Sequence, residues 1–267
     1  MISIHSFKRS LLLLVFLFLS TLSFAQLNCP TFSRYGGFDR FEISPLVSTV
    51  DPYPGVGDLD FTNQPYIFGG DYTDNSFAAG AIFRFFADEH IAIRLKGIFT
   101  QRNVHDFLEV TDTINDIHSI FDDRFKQTLF KIAPGLQWTF FQDHISLYGG
   151  LEVPFTYQGD LTQNEYLLTD EPTDSIFLET YGVRTVPGGY SIGLGVFAGT
   201  AYYFTRSFAV GAELSTAFQY TSVGGDIIST SETFGSSSST GGAFYNETMK
   251  FYRFSPVQGS LFVTVRF

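Results

Sequence analysis

From residue 40 onward the chain alternates oily and polar side chains with a period of two. In His90–Thr100, Ile91, Ile93, Leu95 and Phe99 share one face with Gly97. Ala92, Arg94, Lys96, Ile98 and Thr100 share the other. That period belongs to a β-strand whose two faces meet different surroundings. The same reading repeats over about 40–49, 75–86, 89–101, 125–140, 144–157, 189–204, 207–221 and 249–267. Many of these segments exceed the ordinary strand of ~5–6 residues. They suit the ~9–11 residues that a tilted strand needs to cross a bilayer.

The connections alternate in length. Ala87-Asp88, Phe141-Gln142-Asp143 and Thr205-Arg206 are short, whereas 50–74, 102–124, 158–188 and 222–248 are long. Short turns on one rim and long loops on the other are the layout of an outer-membrane β-barrel. The expected fold is therefore all-β: an eight-stranded antiparallel up-and-down transmembrane β-barrel with four long extracellular loops and three short periplasmic turns. Pro134, Pro154 and Pro256 fall inside strands and conflict locally with this reading. Proline lacks a ladder donor, so each should mark a bulge or a rim.

Residues 1–25 read as a cleaved signal peptide, with Lys8 and Arg9, then an apolar run, then Ser23-Phe24-Ala25 before the cut. The run is short of the roughly 20 apolar residues of a spanning helix. Residues 26–39 then form a short periplasmic segment, and 40–267 the barrel domain, with both termini periplasmic. Cys29 is the one cysteine and lacks the small residues of a lipid-attachment site. A disulfide framework is excluded. Of 267 residues 27 are acidic and 16 basic, and 18% are aromatic. The high aromatic content excludes disorder, and the net charge of −11 excludes general nucleic-acid binding.

The long loops hold most of the acids, among them Asp106, Asp122, Asp123, Glu165 and Glu179. If the oily face meets lipid, the other face fills the lumen. Its charged members are Glu42, Arg84, Arg94, Lys96, Lys131, Glu152, Glu213 and Arg266. At this strand number the lumen is only wide enough for side chains. These groups should pair with one another as a polar core. Glycines such as Gly150 and Gly199 should make room for inward Tyr148, Phe197 and Tyr203. Aromatics beside the short turns, including Phe85, Phe86, Phe140, Phe141, Tyr202, Tyr203 and Phe204, read as an interfacial girdle.

The chain closes on Leu261-Phe262-Val263-Thr264-Val265-Arg266-Phe267. Val263, Val265 and terminal Phe267 match the end signal that delivers outer-membrane barrels to their assembly machinery. From Arg40 to Phe267 the chain resembles the small eight-stranded outer-membrane barrels of the OmpA membrane-domain and OmpX type. Its Phe-rich strands and Leu147-Tyr148-Gly149-Gly150-Leu151 resemble barrel proteins common in Bacteroidetes. The resemblance implies the outer membrane of a Gram-negative bacterium, with outer-membrane lipid, lipopolysaccharide and the assembly machinery as partners.

No nucleophile elbow, P-loop, dinucleotide fingerprint or CxxC pair occurs. His105 and His118 share an acidic segment, but no ligand spacing resembles a known metal loop. The expected protein is non-enzymatic and without a cofactor. Its acidic surface loops would serve adhesion, partner binding or envelope integrity, engaging an extracellular protein or divalent cations. A narrow or gated pore with a charged lumen is the alternative. A soluble lipocalin-like ligand-binding barrel is a further one, and requires the oily face to point inward.

Overall fold

The computed structural model describes residues 40–49, 71–74, 76–88, 90–112, 117–171, 176–235 and 238–267. The expected signal peptide, Cys29, the 26–39 segment and most of 50–74 lie outside them. The described strands are β1 (Phe41–Ser48), β2 (Asp71–Asp74), β3 (Phe77–Phe86), β4 (Ile91–Asp112), β5 (Ile117–Gln142), β6 (Ile145–Glu152) and β7 (Phe155–Gln158). They continue as β8 (Leu161–Glu171), β9 (Ile176–Val186), β10 (Gly189–Tyr203), β11 (Phe208–Gly235), β12 (Ser239–Phe254) and β13 (Gln258–Arg266). All described pairings are antiparallel and belong to one sheet.

The expectation of a simple eight-stranded up-and-down barrel is corrected: among the described residues the sheet has thirteen strands. Near the short turns the ladders run β1–β3–β4–β5–β6–β10–β11–β13 and return to β1. Above that level the order is β2–β4–β5–β8–β9–β11–β12, with β2 and β12 each paired on one side among the described residues. Among the described residues the upper part is thus an open sheet. The expected loops 102–124, 158–188 and 222–248 are largely strand. Ser239–Gly242, within the expected Ser/Gly loop, begins β12. Backbone pairing holds these segments extended although charged and polar residues occupy both faces, which is why the apolar alternation stops short of them.

The prolines explain two of the interruptions. Pro134 lies within β5, and its carbonyl accepts from Val153 N at 2.8 Å. Its missing donor therefore faces the Val153-Pro154 break between β6 and β7. Glu152 and Phe155 flank that break opposite Gly135 and Ile132 on β5, and opposite Gly195 and Ile192 on β10. Equal spacing on every strand means no residue is inserted, so the expected bulge or rim is absent there. At Pro256 the spacing differs. Phe254 and Gln258 flank three residues, but their partners Phe218 and Ser215 flank only two. This is a true bulge. Ser255 secures it, donating N–H to Ala217 O at 2.7 Å and accepting from Ala217 N at 2.9 Å through Oγ.

Burial is inverted relative to a water-soluble fold. Phe83, Ile93 and Leu147 are 49%, 55% and 56% exposed, whereas Arg94 is 1% and Lys96 0% exposed. Large apolar residues form the outer face of every strand around the cycle, and charged and polar residues share the inside with a smaller apolar cluster that includes Leu46, Ile82, Ile98, Phe197 and Phe262. The lipocalin-like reading needs the reverse arrangement, so the geometry overturns it. Inward space comes from small residues. A Cβ on Gly150 would sit 2.6 Å from Phe197 Cζ, and one on Gly199 2.5 Å from Tyr148 Cζ.

Candidate functional site: the ionic interior

The eight charged residues assigned to the inner face all point into the cycle, in three tiers. Nearest the short turns, Arg266 Nε donates to Glu42 Oε1 at 2.7 Å, and its Nη2 also bonds that oxygen. Tyr203 completes the set, its hydroxyl donating to Glu42 Oε1 at 2.8 Å and accepting from Arg266 Nη2 at 2.9 Å. Phe86, Phe141 and Tyr203 ring the Arg266 guanidinium, centroids 5.4, 5.3 and 4.8 Å away. These three aromatics therefore belong to the interior and not to the expected girdle. A cation over aromatic faces gains from the ring quadrupole. Beside them, Arg84 donates to Ser44 Oγ at 2.6 Å and Gln137 Oε1 at 3.0 Å, and lies 3.6 Å from Glu42.

The middle tier crosses the cycle. Arg94 on β4 donates Nη1 and Nη2 to the two carboxylate oxygens of Glu213 on β11, both at 2.9 Å. Nη2 also reaches Glu152 Oε2 at 3.3 Å. Lys96 donates to Glu213 Oε1 at 3.1 Å, and Tyr148 to Glu213 Oε2 at 3.2 Å. Phe197 closes one face of the guanidinium, its centroid 3.6 Å from Cζ. Two cations and two carboxylates thus neutralise each other away from water. Fork-to-fork pairing fixes their geometry as a point charge cannot.

The upper tier holds Lys131, which donates to Gln258 Oε1 at 3.1 Å. It lines a cavity with Arg102 and Arg253. Neither arginine stood among the expected interior residues. Arg102 falls where the alternation was read as ending. Arg253 has the parity of Val257 and Leu261, which face outward, but the bulge at Ser255–Val257 turns it inward. Tyr252 and Phe254, exposed on the other side, show the reversed parity. Pro256 was the one visible signal.

Val263 and Val265 of the expected assembly signal are half-buried strand residues, paired with Val210 and with Ile43 and Phe208. Phe267 is exposed. His90 and His144 face Thr139 O and Tyr203 O near the short turns, both at 3.1 Å. His105 meets Asp122 at 2.9 Å and His118 meets Glu109 at 2.8 Å. Among the described residues no three His, Cys, Asp or Glu side chains group to hold a metal. Asp106, Asp123 and Glu165 are cross-strand neighbours on β4, β5 and β8. Burial, then Glu165, Asp106 and Asp122, push the Asp123 carboxyl up to about 7. At the short turn after β3, N–H donors from His90 and Ile91 hold the Asp88 carboxyl below its usual range.

No protein-family model matches the chain, and no curated protein does. Two solved structures give low-scoring likenesses. The outer membrane protein OprG from Pseudomonas aeruginosa aligns at 15% identity over 85% of this chain and 95% of its own, with a TM-score of 0.38. CarO from Acinetobacter baumannii aligns at 10% identity over 74% of this chain and 97% of its own, with a TM-score of 0.27. At those scores neither likeness carries weight. The resemblance to the small eight-stranded OmpA and OmpX type is corrected accordingly: no family model matches, and the described residues form a sheet of thirteen strands.

Proposed function

We propose that the chain is a non-enzymatic protein of the Gram-negative outer membrane. In this reading lipid surrounds the strand cycle, the upper sheet stands outside the cell, and the short turns face the periplasm. The observation that carries it is the inversion: the large aliphatic and aromatic side chains face out while Arg94, Lys96 and Glu213 are fully enclosed. An outer face of that extent is stable only against acyl chains or a covering partner. Enclosed backbone is satisfied by the ladders, as a spanning sheet requires.

The cross-cycle pairs favour a scaffold over an open pore, because Arg94 and Glu213 meet where a path would run. The work then falls to the acidic upper sheet, as a surface for adhesion, partner binding or envelope integrity, engaging an extracellular protein or divalent cations that bridge to lipopolysaccharide. Planar-bilayer recording of the purified chain tests the choice. The scaffold gives no stable unitary conductance. A stable conductance that changes with Arg94→Ala or Glu152→Ala would establish the pore instead. Magnesium and calcium removal tests the cation role, which is lost if thermal stability and hydrogen exchange of β8, β9 and β12 stay unchanged.

A further inference from the structure

The outer face of the upper sheet carries a second group of aromatic side chains, set apart from the oily belt of the cycle. Along β5 the belt ends at Phe130, and Thr128, Lys126, Arg124 and Asp122 follow on the same face. Asp122 is eight residues beyond Phe130, ~26 Å of strand at ~3.3 Å per residue. Asp122 stands opposite Tyr166 on β8, Tyr166 opposite Tyr181 on β9, and Tyr181 opposite Glu232 on β11. One row along, Glu179 stands opposite Phe234. Tyr181 and Phe234 are 48% and 47% exposed. Interfacial aromatics sit at the headgroup level, and a tilt of ~45° still leaves this group roughly 18 Å above Phe130. It therefore has a different partner from the belt.

The Tyr166 and Tyr181 hydroxyls both donate to Glu179 Oε1, at 3.1 and 2.5 Å. Their rings lie 4.9 Å apart, and Phe234 meets Tyr181 edge-on at 6.4 Å. The interior shows what such an arrangement holds. There Tyr203 donates to Glu42 Oε1, and three aromatic rings surround the cation that Glu42 binds, the Arg266 guanidinium. On the outer face the tyrosine donors, the rings and the carboxylate are all present, and among the described residues no cation completes them. Glu232 adds a second, exposed carboxylate beside Tyr181. A guanidinium matches this surface, because its fork meets a carboxylate while its flat face lies on a ring. A calcium or magnesium ion does not, since it takes about six or more oxygen ligands, and no three acidic or histidine side chains group for a metal among the described residues. We propose that this group receives an arginine side chain of an extracellular protein partner. The proposal rests on the reading of the upper sheet as a cell-surface binding face, and names what that face recognises.

The test is an NMR titration of the full chain in detergent micelles with N-acetyl-arginine amide, and with its citrulline analogue, which has nearly the same shape and no charge. Saturable shifts of tyrosine ring signals with arginine, absent with citrulline and with calcium, are the expected result. Glu179→Gln and Glu232→Gln should each weaken binding about three- to fivefold, the scale of an exposed ion pair. Tyr181→Leu should weaken it by a similar factor through the lost ring face. Glu109→Gln, which alters a carboxylate of the same face already bonded to His118, should leave binding unchanged. Absence of saturable arginine binding to the native chain overturns the proposal, and so does binding undiminished in the folded Glu179 and Glu232 variants. Either result leaves the surface reading standing. A fluorescent arginine peptide applied to intact cells displaying the chain tests that reading separately: binding in micelles but not on cells upholds the arginine site and overturns the outward placement of the upper sheet. A native chain that sediments as an oligomer, and that the peptide dissociates, makes the occupant a second copy and overturns the extracellular partner.

Discussion

Arg94 and Glu213 lie on strands four ladders apart whichever way round the cycle they are counted, yet two 2.9 Å hydrogen bonds join them across its middle. Neither side chain reaches water. Such a pair is weak evidence for stability in itself, because desolvating two charges offsets much of their attraction. Breaking it is another matter. Glu213→Ala leaves Arg94 and Lys96 enclosed with Glu152 alone. It should cost about 3–5 kcal/mol, the range for an orphaned buried charge. Glu109→Ala, which removes an exposed partner of His118, should cost no more than about 1 kcal/mol. Urea unfolding of both variants in micelles checks the contrast.

Packing of the middle tier depends on Gly150 as much as on the charges. A Cβ there would press on Phe197 Cζ at 2.6 Å and, closer still, on the backbone oxygen of Leu136. Phe197 is the ring that covers the Arg94 guanidinium. Gly150→Ala should therefore destabilise by about 1–3 kcal/mol or more through overpacking. Gly97→Ala, where a Cβ meets nothing within 4 Å, should be nearly silent. Thermal unfolding of the two variants side by side decides it.

Stability of the upper sheet should fall as pH rises from about 4 to about 7. The folded-state pKa of Asp123, about 7, lies above its ordinary value of 3.8. The folded chain therefore holds that proton more tightly than the unfolded chain. The resulting stabilisation is present at low pH and is lost through the folded pKa. Asp123→Asn should raise stability at pH 8 and flatten the dependence. Hydrogen exchange of β5 and β8 amides at pH 5 and 8 measures it. A native chain with equal protection at both pH values would contradict the repulsion among Asp106, Asp123 and Glu165.

Much of the strand cycle was legible because the enclosed and the exposed side of each strand impose opposite demands on alternate residues. Ile93 and Arg94 could be assigned to opposite faces from period alone. The upper extensions were not legible. In 117–126, Ile117, Phe121 and Phe125 share a face, but Ser119 and Asp123 interrupt it and Asp122, Asp123 and Arg124 succeed one another, so the alternation is broken although the segment pairs as strand. Arg253 was hidden by a single inserted residue, since a bulge inverts every parity beyond it. Phe86, Phe141 and Tyr203 sit inside because Arg266 offers their faces a cation, a partner that composition at a strand end does not reveal.

The chain has one tryptophan, Trp138, on the outer face of β5 and 42% exposed. Its fluorescence reports directly on what surrounds the oily face. After reconstitution into vesicles, emission should be blue-shifted and strongly quenched by lipids brominated along the acyl chain, and little affected by aqueous acrylamide. Red-shifted emission that acrylamide quenches and brominated lipid does not would contradict a lipid-facing Trp138, and with it the membrane-embedded cycle.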